Sequence, residues 1–329
     1  EKLIQTYLLD NQHGALVTIV PEPGRTARLD AELKEKLQAY KESLSREEIE
    51  KLVTDTKHLQ EYQEEPSSQE DLEKIPMLTR EDISREIAPI YNEEMKIADI
   101  PTVFHEIETN GIGYLDLMFD LSDVPEKDLP MVGLLQAVLG IIDTEHYEYG
   151  ELFNEINRHT GGIGTSLELY PDVTKVKEKE FKATFEIKGK ALYGQIPFAI
   201  RMMKEILTAS KLDDEKRLKE ILSMTKTRLQ DRFLSAGHSA AALRAMSYKS
   251  PISKFKDTTN GIEYYQNIRE MEEHFDEKKE EIISGLKALS ELLFRKGNVM
   301  ISYTASREGL AVLEEEIGSL KEALYPERT

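Results

Sequence analysis

The period of apolar and polar positions changes several times along the chain, and each change marks an element. Residues 15–20 are apolar and β-branched between His13-Gly14 and Pro21-Glu22-Pro23-Gly24, which reads as a strand. Leu29, Leu33, Leu37, Tyr40 and Leu44 then recur at spacings of four, four, three and four, one stripe of a helix. Ser45 with Glu48 makes a capping box for a second helix, striped by Ile49, Leu52, Val53, Thr56 and Leu59 and stopped at Glu65-Pro66-Ser67-Ser68. Two charged helices with one stripe each and a tight connection predict an antiparallel helical hairpin, since neither stripe is stable in water alone. Thr79 and Asp82 repeat the capping-box spacing for a short helix, and an extended connection follows from Pro89 to Pro101.

Strands are expected at 103–107 and 112–121, turning at Asn110-Gly111 as a hairpin. In the second, Leu115, Leu117, Phe119 and Leu121 alternate with Tyr114, Asp116, Met118 and Asp120, so one face of the sheet is buried. Residues 129–142 then carry no charge and read as a buried helix. A helix at 147–159 follows, stopped by Gly161-Gly162. Further strands at 166–170 and 181–187 continue the one-sided sheet, Phe181, Ala183, Phe185 and Ile187 alternating with Lys182, Thr184, Glu186 and Lys188. Helices at 192–209, 213–235, 238–248, 261–273 and 276–295, a strand at 299–304 and a helix from Glu308 complete the chain.

The expected class is α+β, an antiparallel sheet with helices mainly on one face, preceded by the helical hairpin. Residues 1–22 are read as the terminal strand of a preceding domain, 23–98 as the hairpin linker and 99–329 as one α+β domain. A first segment already patterned as structure, without an initiating Met, reads as part of a longer polypeptide.

Composition narrows the function. Forty-three basic against 62 acidic side chains give a net charge of -19, which repels nucleic-acid phosphate and acidic lipid. No run approaches the roughly 18 apolar residues of a membrane helix, so neither nucleic acid nor membrane is an expected partner. The absence of cysteine excludes disulfides, thiol nucleophiles and thiolate zinc sites.

The motifs offer little chemistry. Seven histidines occur, yet neither His-Glu-x-x-His nor His-x-x-Glu-His does, so no helix presents two zinc ligands and a base on one face. Arg158-His159-Thr160-Gly161-Gly162 reads as a helix C-terminus, and Ser235-Ala236-Gly237-His238-Ser239 as a break between helices. Gly161-Gly162-Ile163-Gly164 lacks the Lys-Ser/Thr of a phosphate loop.

An ordered set of strings carries a resemblance: Leu8-Leu9-Asp10-Asn11-Gln12-His13 with Pro21, Asp71-Leu72-Glu73-Lys74-Ile75-Pro76-Met77-Leu78, and Thr109-Asn110-Gly111-Ile112-Gly113-Tyr114. Thr160-Gly161-Gly162-Ile163, Gly237-His238 and Gly261-Ile262-Glu263-Tyr264-Tyr265 follow in order. Together they resemble the presequence-protease branch of the pitrilysin and insulinase zinc metallopeptidases, whose long chains carry four related α+β domains with a helical hairpin between two halves. The resemblance implies the end of the second domain, the hairpin and the non-catalytic third domain. The family's His-x-x-Glu-His belongs to the first domain. Laid on that motif, the uncharged helix puts Gly133 and Ala137 at the two His positions and Gln136 at the Glu position, a degenerate copy without ligand or base.

The resemblance therefore implies no catalytic, cofactor or metal residue on this chain, and zinc elsewhere in the full-length protein. The implied partners are the amino-terminal half and fourth domain of the same polypeptide and an unstructured peptide. The chain would wall the chamber and hinge the halves, and would be inert when isolated. A structural or assembly subunit, or an unrelated hairpin interaction module using Leu29, Leu33, Leu37 and Leu44, are the competing readings. The cysteine-free, Glu/Lys-rich composition suits a bacterial cytoplasm, and the family also works in organelle interiors.

Overall fold

The capping box forms as its spacing demands. In a computed structural model, which describes residues 2–86, 89, 91–172, 174–175 and 180–327, Glu48 N donates to Ser45 Oγ at 3.3 Å and Ser45 N to Glu48 Oε2 at 2.8 Å. This box separates α1 (Arg25–Ser43) from α2 (Arg46–Glu64) with only Leu44 and Ser45 between them. Thr79 N likewise donates to Asp82 Oδ2 at 2.7 Å around a 3-10 turn, Arg80–Asp82. These elements belong to the first of two units, residues 1–87, the second being 88–329.

The stripes of α1 and α2 stay uncovered within their unit: Leu29, Leu33, Leu37, Leu52, Val53 and Leu59 are all between 46% and 56% exposed. The helices are held locally instead, by pairs one turn apart such as Arg46–Glu50 at 2.9 Å and Arg28–Glu32 at 3.4 Å. The strand expected at 15–20 is not formed. Leu16 is 96% and Ile19 90% exposed, and the described ladders all lie in the second unit. β-branched composition supplies propensity but no partner edge, and a strand without one has no ladder.

The second unit is built on six strands, β1 (Glu93–Ile97), β2 (Ile100–Glu106), β3 (Ile112–Asp120), β4 (Ile163–Pro171), β5 (Phe181–Leu192) and β6 (Val299–Ala305). Their order is β1-β2-β6-β3-β5-β4, every neighbouring pair antiparallel except β2 with β6. Two expectations are corrected here. β1 lies in the stretch read as an extended connection, whose Ile90 falls outside the described residues. The boundary placed at residue 99 thus falls inside a hairpin, turned by Ala98 (φ 49°) and Asp99 (φ 58°). Two consecutive positive φ values are what a two-residue hairpin needs, and Ala-Asp does not advertise them as Asn-Gly does.

The second correction concerns Asn110-Gly111. Both residues have positive φ, 53° and 80°, and reverse the chain, yet β2 and β3 do not pair. β6 enters between them, parallel to β2 and antiparallel to β3. A turn sequence fixes the reversal, whereas pairing is decided by a strand almost two hundred residues on, Leu117 facing Ile301. The sheet is mostly antiparallel, as expected, with β2 and β6 its one parallel pair.

The helices of this unit are α3 (Leu129–Val138), α4 (Tyr149–His159), α5 (Ile196–Thr208), α6 (Glu215–Ser235), α7 (Gly237–Ser247), α8 (Pro251–Asn260), α9 (Ile262–Glu273), α10 (Phe275–Leu293) and α11 (Arg307–Ala323). α8 is absent from the sequence reading, although Ser250 caps it by accepting from Ser253 N at 3.3 Å and Pro251 occupies its first turn. The core lies on the sheet face that alternation selects: Leu117, Phe119, Phe185, Ile187, Ile301 and Tyr303 are fully buried. Phe294, just after α10, meets Phe119 and Phe185 edge-on at 5.0 and 5.4 Å. Phe119→Ala is expected to lower stability by about 3–5 kcal/mol in urea unfolding. Tyr114→Ala, on the opposite face and 44% exposed, is expected to change it by about 0.5 kcal/mol or less.

Candidate functional site

The uncharged helix is shorter than its composition suggests. α3 ends at Val138, Leu139 turns to extended backbone with ψ 129°, and Gly140 takes φ 88°, which an L side chain would resist. Val132, Leu134, Leu135 and Val138 are fully buried. Gly133, at the first degenerate position, faces α8 and α9: a Cβ there would stand 2.5 Å from the Thr259 carbonyl oxygen and 2.7 Å from the Tyr264 ring. Ala137 is half-buried and brings no donor atom.

Gln136 works on the sheet. Its Nε2 donates to the Thr165 carbonyl at 3.4 Å, and Thr165 Oγ1 donates back to the Gln136 carbonyl at 3.1 Å. The second bond satisfies a C-terminal carbonyl of α3, and the first satisfies an outward carbonyl of β4. Zinc does not fit these residues, because Gly133 and Ala137 have no side-chain ligand atom and the Gln136 amide already holds the strand. The described residues contain no cluster of three His, Cys, Asp or Glu side chains able to hold a metal. Two of the histidines instead tie parts of the fold together: His105 Nδ1 meets Asn92 Oδ1 at 2.7 Å and its Nε2 meets Ser302 Oγ at 3.2 Å, while His146 Nδ1 meets Glu205 at 3.0 Å.

Beside Gln136 a pocket of about 550 Å³ opens between the free edge of β4, the end of α6, the side of α7 and α8. The ladder to β5 shows which β4 groups reach it. Asp172 N bonds Glu180 O and Lys190 N bonds Gly162 O, so even-numbered positions of β4 bond inward. The odd-numbered ones, Thr165, Leu167 and Leu169, turn their N–H and C=O outward. Opposite this edge, Arg232 donates through Nη1 to Asn260 Oδ1 at 3.0 Å and through Nη2 to the Asn260 carbonyl. Desolvation by the surrounding walls lowers the pKa of its guanidinium, and the ring of Phe233 lies beneath it, 5.5 Å away. The α7–α9 corner that frames the pocket is tied by Asp257, fully buried, whose carboxylate takes Arg244 Nη1 at 2.5 Å and Ile262 N at 3.0 Å.

The opposite face of the sheet departs from simple alternation. Glu186, read as a solvent position, is fully buried, and Thr184 is 8% exposed. Tyr170 Oη and Thr184 Oγ1 donate to Glu186 at 2.7 and 2.6 Å, and Lys188 Nζ lies 2.8 Å away. Burial pushes Glu186 up, but hydrogen bonds from Lys188, Thr184, Tyr170 and Asp116 outweigh it and hold the group ionised, below the usual range. Asp116 takes the other role: burial first, then the Glu186 charge, pushes it up to about 8. The two carboxyl groups thus share one proton across β3 and β5. Local alternation hides this, because Glu186 is covered by Tyr170 from β4 and by Lys188 beyond it.

Gly133→Ala is expected to cost about 1–3 kcal/mol in chemical unfolding, because the Thr259 carbonyl is backbone and cannot swing aside. Asp116 has a folded pKa above its unfolded value of 3.8, so its contribution is complete below that pH and is lost as pH rises through about 8. Asp116→Asn is therefore expected to flatten the decline of melting temperature between these limits, measured by calorimetry across pH.

The family model described as peptidase M16, subfamily C, associated matches residues 19–271. Protein HypA of Clostridium perfringens is 36% identical over 96% of this chain and 32% of its own. Presequence protease 1, chloroplastic/mitochondrial, of Arabidopsis thaliana is 25% identical over 98% of this chain and 30% of its own. The chain thus spans about a third of the length of these curated relatives. Among solved structures, a peptidase M16 inactive domain from Pseudomonas fluorescens aligns at TM-score 0.46 with 14% identity, over 72% of this chain and 52% of that one. With the family matched over most of its length, the chain belongs to the family associated with subfamily C of the M16 peptidases.

Proposed function

We propose that this chain is a non-catalytic middle portion of a zinc-dependent endopeptidase that degrades short, unstructured peptides. The observation that carries this reading is α3: where a zinc helix needs two imidazoles and a carboxylate, Gly133, Ala137 and Gln136 supply packing and an edge cap. Zinc and the general base then lie outside this chain, in the amino-terminal half of the same polypeptide. The role left to the chain is to form part of the chamber wall and to hinge the halves through α1 and α2. Support comes from the presequence-protease relatives, of which the chain spans about a third, and from the outward backbone groups of Leu167 and Leu169 beside the pocket. The uncovered stripes of α1 and α2 suit helices that pack on other parts of that polypeptide, the remaining half and the fourth domain. A bacterial cytoplasm suits the cysteine-free composition, and no described helix is long and apolar enough to cross a membrane.

The reading predicts that the chain, supplied with zinc and an internally quenched unstructured peptide, releases no fluorescence above a chelator control. Metal-dependent cleavage that survives purification to homogeneity would overturn it. The competing reading, a structural or assembly subunit, predicts no retention of the uncleaved peptide in equilibrium dialysis, whereas the chamber-wall reading predicts retention.

A further inference from the structure

We infer that the pocket beside β4 receives the carboxyl-terminal end of an extended peptide, its backbone added to the strand edge and its terminal carboxylate held by Arg232 and Lys256. This deepens the chamber-wall reading and rests on it. The edge supplies the first half of the argument. Of the outward-facing groups on β4, the Thr165 carbonyl is taken by Gln136, and Pro171, at the far end of the strand, has no N–H. Between these stops only Leu167 and Leu169 offer a complete donor and acceptor outward, and both line the pocket.

Charge supplies the second half. The chain carries a net charge of -19, and basic side chains on the neighbouring helices are engaged by carboxylates, Arg244 by Asp257 and Lys226 by Glu272 at 2.6 Å. Arg232 and Lys256 line the pocket without a carboxylate within ion-pair distance among the described residues. The Arg232 contacts are with the neutral Asn260 amide and carbonyl, and its lowered pKa comes from desolvation alone. Glu168, the acidic residue on this wall, is engaged with Lys188 at 2.8 Å. A guanidinium steadied by Asn260 and Phe233 keeps further N–H donors for an incoming carboxylate, the geometry in which Arg binds most strongly. The small side chains of Ala236, Ser239 and Ala240 leave the α7 wall low enough for a peptide backbone.

The test is fluorescence anisotropy with the whole 329-residue chain and amino-terminally labelled unstructured peptides, identical except for a free carboxylate or a carboxamide at the C-terminus. The carboxamide is expected to bind about tenfold more weakly. Arg232→Gln combined with Lys256→Gln is expected to bring the free acid down to the carboxamide's level while leaving the carboxamide's own affinity unchanged. Lys256→Gln alone, at an exposed residue without a partner among the described residues, is expected to lower the acid preference with an unchanged melting temperature. N-methylation of the backbone near the peptide's end is expected to remove most of the binding. Equal binding of acid and carboxamide, or an acid preference that survives the double variant, overturns the carboxylate site while the chamber-wall reading stands. Full recovery of affinity by a carboxamide peptide with an internal Glu overturns the assignment to the chain end. Failure of every peptide to bind overturns the chamber-wall contact and this inference with it.

Discussion

α3 lies where it does because residue 133 has no side chain. The helix is pressed on one side by the sheet and on the other by the α8–α9 corner, and a Cβ at Gly133 would stand 2.5 Å from the Thr259 carbonyl oxygen. That closeness buries Val132, Leu134, Leu135 and Val138 completely and brings Gln136 to the edge of β4. It also fixes what the helix is for. A metal helix must keep one face open to its ligands and to water, and here the corresponding face is filled by Tyr264 and by the reciprocal bonds between Gln136 and Thr165.

The same contact organises the edge of the sheet. Gln136 closes one outward carbonyl of β4, and the pocket begins beyond it, so one residue both completes the fold and bounds the candidate site. The corner behind the pocket depends on Asp257. Its buried carboxylate is matched by Arg244 and the Ile262 N–H, and a charge buried there without these partners would cost several kcal/mol, roughly. On the far face of the sheet, Asp116 and Glu186 solve a related problem differently, by holding one proton between two carboxyl groups.

Much of this was legible in the pattern of residues, and the parts that were not share a cause. Period-two alternation found the buried face of β3 and β5, because a pleated strand sorts its side chains locally. Spacing of Ser45 and Glu48 found the start of α2 for the same reason. β6 between β2 and β3, the cover that Tyr170 gives Glu186, and the uncovered stripe of α1 are set by neighbours far away in sequence, which no local period encodes. The turn at Ala98-Asp99 was missed because neither residue type signals positive φ. At the candidate site, the residue types Gly133, Gln136 and Ala137 are given by the sequence itself, whereas the closeness of Arg232, Lys256 and Leu167 was not legible, since it is made by three separate elements.

The central claim is that Gly133, Gln136 and Ala137 of α3 serve packing and the strand edge and hold no metal. Native mass spectrometry of the chain after incubation with equimolar zinc and removal of loosely held metal tests it most directly. The account predicts a mass without zinc, in the wild-type chain and in Gln136→Ala alike. One zinc per chain that resists this removal, and is lost on substitution of Gln136, would contradict it.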